Sequence, residues 1–236
     1  MEPKPANVPK HIGIILDGNR RFAKRLLLEP WKGHELGFNK LKELYQWCAE
    51  VNVRELTLYC FSIQNFDRPK HEFDYLMKLF AQACDDAVTN PDIRQNDIRI
   101  KVIGRPELFP KVLQEKLKHV EEATATHSRF TINLALAYGG REEIADAIKR
   151  LAADVAVGKL KVSEIGDETL RGYLYLQSEP DLIIRTGGEQ RTSNFLTWQS
   201  TYSELLFLQK TWPEFQKADL LAAIAEYQSR ERRFGK

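Results

Sequence analysis

Cysteine is scarce in this chain. Cys48, Cys60 and Cys84 are the three present, and they are spaced without a zinc-ligand pattern or a redox pair. That excludes a disulfide framework and leaves them as small apolar residues of a reducing compartment. Long apolar runs are lacking too: none approaches the ~18 residues of a membrane span. Residues 1–10 hold three prolines and no apolar core, so they do not form a secretory signal and a cytoplasmic protein is expected. Neither sign of charge is in excess. Lys and Arg number 35 against 33 Asp and Glu, for a formal net charge of +2, too balanced for the broad basic footprint of a nucleic-acid binder. No repeat, low-complexity tract or glycine-, proline- or serine-rich linker divides the 236 residues, of which 43% are hydrophobic. This length and composition support a large core and are assigned to one domain over 1–236, with 1–10 flexible.

What is present is an alternation of short β-rich runs with helical patterns. Strands are predicted over 12–16, 55–60, 98–103, 131–136 and 182–185, with a sixth over 204–208. Strands apolar on both faces, separated by helices, specify an α/β fold with a mostly parallel sheet flanked by helices. Phe38, Leu41, Leu44, Tyr45 and Cys48 form one helical stripe, and Phe73, Leu76, Phe80, Ala83 and Ala87 another. These stripes belong to the core or to the wall of a cavity.

Two strand ends carry residues suited to phosphate. Residues 181–185 run into a loop with Arg185, Gly187, Gly188, Arg191 and Ser193. Guanidinium groups grip phosphate oxygens with paired donors, and glycines let backbone amides approach the same anion. Near the N-terminus, the strand over 12–16 ends in Asp17-Gly18-Asn19-Arg20-Arg21-Phe22. Strand, tight turn and helix start present free amides to an anion, and the aspartate at the strand tip suits a hard cation, although such an aspartate also serves as a helix cap. Asp17, Ser62, Tyr138 and Arg185 all fall at C-terminal strand ends, the edge where open parallel sheets bind ligands. Two anion sites and one metal carboxylate suit the joining of two phosphorylated substrates.

With these residues in place, the chain resembles the cis-prenyltransferases, whose best-known members are the undecaprenyl diphosphate synthases. The matching stretches are Asp17-Gly18-Asn19-Arg20-Arg21, Gly33-His34, the run 61–69 with Glu72, residues 133–141, residues 184–194, Glu204 and residues 230–235. The resemblance implies a hydrophobic tunnel, Mg2+ held by Asp17 with Glu204 assisting, and Asp17 and Asn65 as the catalytic pair. Substrate contacts implied are Gly18, Asn19, Arg20, Arg21, Phe22, His34, Ser62, Phe66, Arg68 and Glu72, with Arg185, Arg191 and Ser193 on isopentenyl diphosphate. A homodimer is implied as well, in which the Arg-Phe-Gly ending at 233–235 reaches the neighbouring subunit, and so is peripheral membrane contact for product release.

Departures are visible at five positions. Pro30 stands where bacterial members often carry an arginine, Arg20 where they carry glycine, Gln64 in place of glutamate, and Phe22 and Phe66 where tryptophan is common. The expected function is condensation of isopentenyl diphosphate with an allylic diphosphate to a polycis product of the lipid-carrier type. Two alternatives stay open: prenylation of another acceptor such as a lipid phosphate, and a non-catalytic subunit of a heteromeric enzyme. A neutral amide has almost no basicity, so Asn65 is expected to orient substrate or water while a diphosphate oxygen takes the proton.

Overall fold

The computed structural model describes residues 8–230. Six strands form one sheet: β1 (His11–Ile15), β2 (Glu55–Ser62), β3 (Ile98–Gly104), β4 (Phe130–Tyr138), β5 (Leu182–Arg185) and β6 (Glu204–Phe207). Their order is β3-β4-β2-β1-β5-β6 and every pairing is parallel. The helices are α1 (Asn19–Arg25), α2 (Pro30–Glu50), α3 (Lys70–Thr89), α4 (Pro91–Gln95), α5 (Lys111–Ala123), α6 (Gly140–Ala156), α7 (Asp167–Tyr173) and α8 (Lys217–Ser229). The predicted fold class and all six strands are present, the sixth included.

The central strands are apolar because both of their faces are covered. Every residue of β1 and of β5 is buried, as expected of a parallel sheet clothed by helices. One core layer gathers Leu44, Cys48, Leu56, Leu58, Leu113 and Leu117, and the other gathers Tyr138, Leu176, Ile183, Phe195 and Leu196. From β1 the chain winds outward to β2, then returns across the sheet to β5 and winds the other way to β6. The reversal of winding therefore lies between β1 and β5, and open α/β sheets place ligands outside the strand ends at such a point.

Two local features shape that edge. The β2–β4 ladder slips between Tyr59 and Phe61 and again between Phe61 and Ser62, so Cys60 and Ala137 are each left without a partner. Such bulges re-aim side chains at a sheet's end. Helix α2 begins at Pro30, which occupies a first-turn position, so His34 lies inside the helix rather than ahead of it. Proline is favoured there because its missing N–H is one the helix cannot bond anyway.

Helices α1 and α2 approach each other through glycine. A Cβ on Gly33 would stand 2.0 Å from the Asn19 carbonyl oxygen, and one on Gly37 would stand 2.6 Å from Trp212. Gly33→Ala is therefore expected to lose about 1–3 kcal/mol of stability through overpacking. Gly172→Ala, on α7 with nothing within 4 Å, should be neutral or gain up to about 1 kcal/mol. Urea unfolding of the two variants checks the contrast.

Candidate active site

Parallel pairing of β1 with β5 sets Ile15 beside Arg185, and two residues later Asp17 meets that arginine. Arg185 Nη2 donates to Asp17 Oδ2 at 2.9 Å, while its Nη1 donates to the Arg191 carbonyl at 2.5 Å and to Ser193 Oγ at 2.8 Å. Arg185 is 5% exposed, so its charge requires these partners. The other Asp17 oxygen accepts from the Gly18 N–H at 2.6 Å and lies 3.1 Å from Arg21 Nη2. Thr186 closes the turn: its hydroxyl donates to the Asp17 carbonyl at 2.8 Å and lies 3.1 Å from the Asp17 N–H.

The glycine loop differs from its expected role. The Gly187 N–H donates to the Lys210 carbonyl at 2.7 Å and the Gly188 N–H to the Leu208 carbonyl at 2.8 Å. Both amides are thus committed within the protein and do not form an anion nest. The glycines serve the turn itself: both have positive φ, and a Cβ on Gly187 would stand 2.6 Å from Arg21. Ser193, Asn194 and Leu196 also have positive φ, a clustering of backbone strain typical of functional loops. The loop is braced from below. Tyr59 donates to the Ser193 carbonyl at 3.2 Å and stacks on Phe195, and buried Glu143 accepts from the Tyr138 hydroxyl, the Leu176 N–H and Gln199.

Across the mouth stands a second cluster. Arg68 Nη1 lies 3.1 Å from His34 Nε2 and 3.0 Å from Glu72 Oε1. The guanidinium can only donate, so His34 Nε2 is an acceptor and the imidazole is neutral. Burial, joined by the Arg68 cation, lowers the His34 pKa, opposed by Glu72. The almost fully buried Glu72 carboxyl lies against the Arg68 and Arg20 guanidinium groups. His34 and Glu72 are 3.6 Å apart, too far for a good hydrogen bond, so Arg68 is the shared donor between them.

A cavity of ≈ 660 Å³ joins these groups. Its wall takes in Asp17, Asn19, His34, Ser62, Asn65, Arg68, Arg185, Arg191 and Ser193 and continues onto Phe38, Leu41, Leu76 and Phe80. An apolar cavity of ≈ 140 Å³ lies against it and shares Phe38, Leu41, Cys60 and Phe80. A polar recess of ≈ 340 Å³ is lined by Asp17, Gly18, Asn19, Arg20, Arg21, His34 and Arg68. Asn65 Oδ1 accepts the Ser62 N–H at 3.0 Å, which turns the amide so that its NH2 donors are open to a ligand. Phe22 lies beneath the Arg25 guanidinium and Phe66 packs on Phe61, Phe73 and Phe109. Neither ring is part of the wall of the large cavity.

Glu204 is not brought to this site. It opens β6 in register with Leu182, at the opposite end of the sheet from Arg185, and is bonded to Arg230 at 2.7 Å. Asp17 therefore stands alone as a metal carboxylate, and among the described residues no group of three His, Cys, Asp or Glu could hold a cation. One carboxylate fits Mg2+ that is bound together with substrate phosphates, a common mode for this ion. It does not fit a resident metal caged by protein. The Arg-Phe-Gly ending lies outside the described residues. Sequence reasoning missed Thr186, Tyr59 and Asn194. Glu189, which the sequence offers as an ion-pair partner for this arginine cluster, lies 2.6 Å from Arg191 and 3.4 Å from Arg21.

The family model Prenyltransf, of undecaprenyl diphosphate synthase, matches residues 15–235. The chain is 49% identical over 235 residues to the tritrans,polycis-undecaprenyl-diphosphate synthase (geranylgeranyl-diphosphate specific) of Pyrococcus horikoshii, covering 99% of this chain and 89% of that one. It is 47% identical over 236 residues to the enzyme of the same name from Picrophilus torridus, covering 99% and 92%. Among solved structures, lavandulyl diphosphate synthase from Lavandula x intermedia, in complex with dimethylallyl diphosphate, superposes with a TM-score of 0.93 at 36% identity, covering 97% and 99%. A probable undecaprenyl diphosphate synthase from Campylobacter jejuni gives 0.81 at 34%, covering 98% and 100%.

The state of His34 has a pH consequence. Its folded pKa is lowered, so the unfolded chain binds the extra proton first, and stability present above pH ~6.5 is lost as pH falls below it. His11, also lowered by burial, acts in the same direction. Urea unfolding between pH 7 and 5 should therefore have a shallower pH slope in His34→Gln than in the wild type, and not an unchanged one.

Proposed function

The chain belongs to the undecaprenyl diphosphate synthase family and is a cis-prenyltransferase; from that premise we propose that it extends geranylgeranyl diphosphate with isopentenyl diphosphate to a long polycis diphosphate. The observation that carries this reading is the Asp17–Arg185 junction in the wall of a cavity that adjoins the polar recess on one side and the apolar cavity on the other. The primer follows the relatives' specificity for geranylgeranyl diphosphate.

Asn19, Arg21 and the turn at Gly18 take the allylic diphosphate, with Arg20, His34 and Arg68 beside it. Arg185, Arg191 and Ser193 take that of isopentenyl diphosphate. A new carbon–carbon bond forms as the allylic diphosphate departs with the bonding electrons, and the fixed guanidinium groups stabilise that departing charge. Mg2+, held through Asp17, supplies further neutralisation of the leaving group when bound. One proton is then lost from the added unit. Asn65 donates to a diphosphate oxygen or a water, and a diphosphate oxygen accepts the proton. The growing chain passes Leu76 and Phe80 into the apolar cavity, the two cavities forming one tunnel.

Two wider assignments accompany this reading. A homodimer in the cytoplasm and product transfer at a membrane surface suit a lipid product made by a chain whose described helices are all too short or too polar to cross a membrane.

Purified protein with labelled isopentenyl diphosphate, Mg2+ and a series of allylic diphosphates should give polycis products primed by geranylgeranyl diphosphate. Transfer to a lipid phosphate alone would favour another acceptor, and no product with any primer would favour a non-catalytic subunit. Asp17→Asn, which keeps an acceptor for Arg185 but removes the charge that compensates it, should lower kcat at least about 100-fold and also lower the melting temperature. Phe80→Ala should lengthen the products. A drop of about 3–5 kcal/mol in stability with unchanged product length would instead place Phe80 in solid core.

A further inference from the structure

Helix α6 starts without a cap of its own. Gly139 stands at its N-cap and has no side chain to offer, while the first amides of any helix lack acceptors within it. The acceptors come from the loop after β5. The Gly140 N–H donates to the Asn194 carbonyl at 2.8 Å and the Arg141 N–H to Asn194 Oδ1 at 2.9 Å. Asn194 Nδ2 in turn donates to Glu142 Oε2 at 2.9 Å, and the Thr197 hydroxyl adds a longer bond to Oδ1 at 3.3 Å. The two glycines of Tyr138-Gly139-Gly140-Arg141 make this approach possible: a Cβ on Gly140 would stand 2.7 Å from the Thr197 backbone nitrogen, and one on Gly139 2.7 Å from Asn194 Nδ2.

Helix α6 is a firm base for the contact. Its Ala147 and Leu151 are buried, and its Glu143 accepts from the Tyr138 hydroxyl of β4. The loop is less self-sufficient. Ser193 and Asn194 are consecutive residues with φ 51 and 66, a left-handed conformation that residues other than glycine keep only when surrounding contacts enforce it. The bonds of Asn194 to α6 enforce it from one side, and Tyr59 holds the Ser193 carbonyl from the other. The direction of Ser193 Oγ, which meets Arg185 at 2.8 Å, follows from that conformation. Asn194 borders the large cavity, but Oδ1 already accepts two bonds and Nδ2 donates to Glu142, so its side chain faces α6.

We propose that Asn194 is a positioning residue for the isopentenyl diphosphate site: through its cap on α6 it sets Ser193 and Arg191 without itself touching substrate. The inference rests on the assignment of Arg191 and Ser193 to isopentenyl diphosphate, which Arg191→Ala tests separately.

Initial rates on the full chain with Mg2+, each diphosphate varied against saturating amounts of the other, test it, with melting temperatures measured beside them. Asn194→Gly tolerates the positive φ and removes only the side chain. It should raise the KM for isopentenyl diphosphate about tenfold, the scale of one or two lost hydrogen bonds, with the allylic KM within about twofold of the wild type and kcat changed less than the isopentenyl KM. Asn194→Asp keeps an acceptor for the Arg141 N–H but sets a carboxylate against Glu142, and should raise the same KM; adding Glu142→Gln replaces that acceptor with a donor and should return the value toward wild type. An unchanged isopentenyl KM in Asn194→Gly, an equal rise in both KM values, or no rescue by Glu142→Gln would overturn the proposal. A lower melting temperature with both KM values unchanged would assign Asn194 to stability alone and overturns it equally. If Arg191→Ala raises both KM values alike, the site assignment falls and this inference with it; if Arg191→Ala raises the isopentenyl value alone and Asn194→Gly raises neither, only this inference falls.

Discussion

The ion pair between Asp17 and Arg185 joins groups 168 residues apart in sequence, and the site depends on it. A guanidinium buried as deeply as Arg185 is tolerable only with its charge compensated; stripping a partner from such a group costs about 3–5 kcal/mol. Asp17, the Arg191 carbonyl and Ser193 supply that compensation together. The pair therefore fixes the turn after β1 and the loop after β5 against each other, at the point where the winding of the sheet reverses. Each loop alone is an irregular connection. Tied to the other, it becomes one rim of the cavity.

From this rim the cavity changes character within a few residues. Cations and hydroxyls lie at the strand ends, while the wall beyond them is built from Phe38, Leu41, Leu76 and Phe80. That gradient suits a ligand with a doubly phosphorylated head and an apolar tail, and it arises because α2 and α3 send polar first turns to the sheet edge and apolar stripes along its face. His34 and Glu72 belong to those early turns, and Arg68, just ahead of α3, lies between them.

Strands and site residues were legible in the sequence for the same reason: buried parallel strands must be apolar throughout, and polar residues at their ends stand out by contrast. Less could be known of bonding partners. Nothing local distinguishes a glycine amide offered to a ligand from one already given to Lys210 or Leu208. Glu204 sits in a run resembling the family's, but only the register of β6 against β5 reveals that it opens the strand at the far end of the sheet. The bulges at Cys60 and Ala137 are likewise a matter of pairing between distant segments. Pro30, noted for the arginine it displaces, marks the first turn of α2 instead.

Glu189 gives the site a counter-ion of its own. In the free protein it lies against both Arg191 and Arg21, the cations assigned to the two diphosphates, and all three side chains are partly open to water, where such pairs are worth ~1 kcal/mol or less. Under the proposed assignment an incoming phosphate replaces a carboxylate rather than meeting bare charge. Singly charged ions gain little by that exchange, whereas a diphosphate, with several charges and many acceptor oxygens, wins it readily. The same exchange runs backward after each condensation. As the spent diphosphate loosens, the tethered carboxylate competes for its arginines at high local concentration, so an enzyme that must empty and refill its head-group site once for every unit added carries its own eluent.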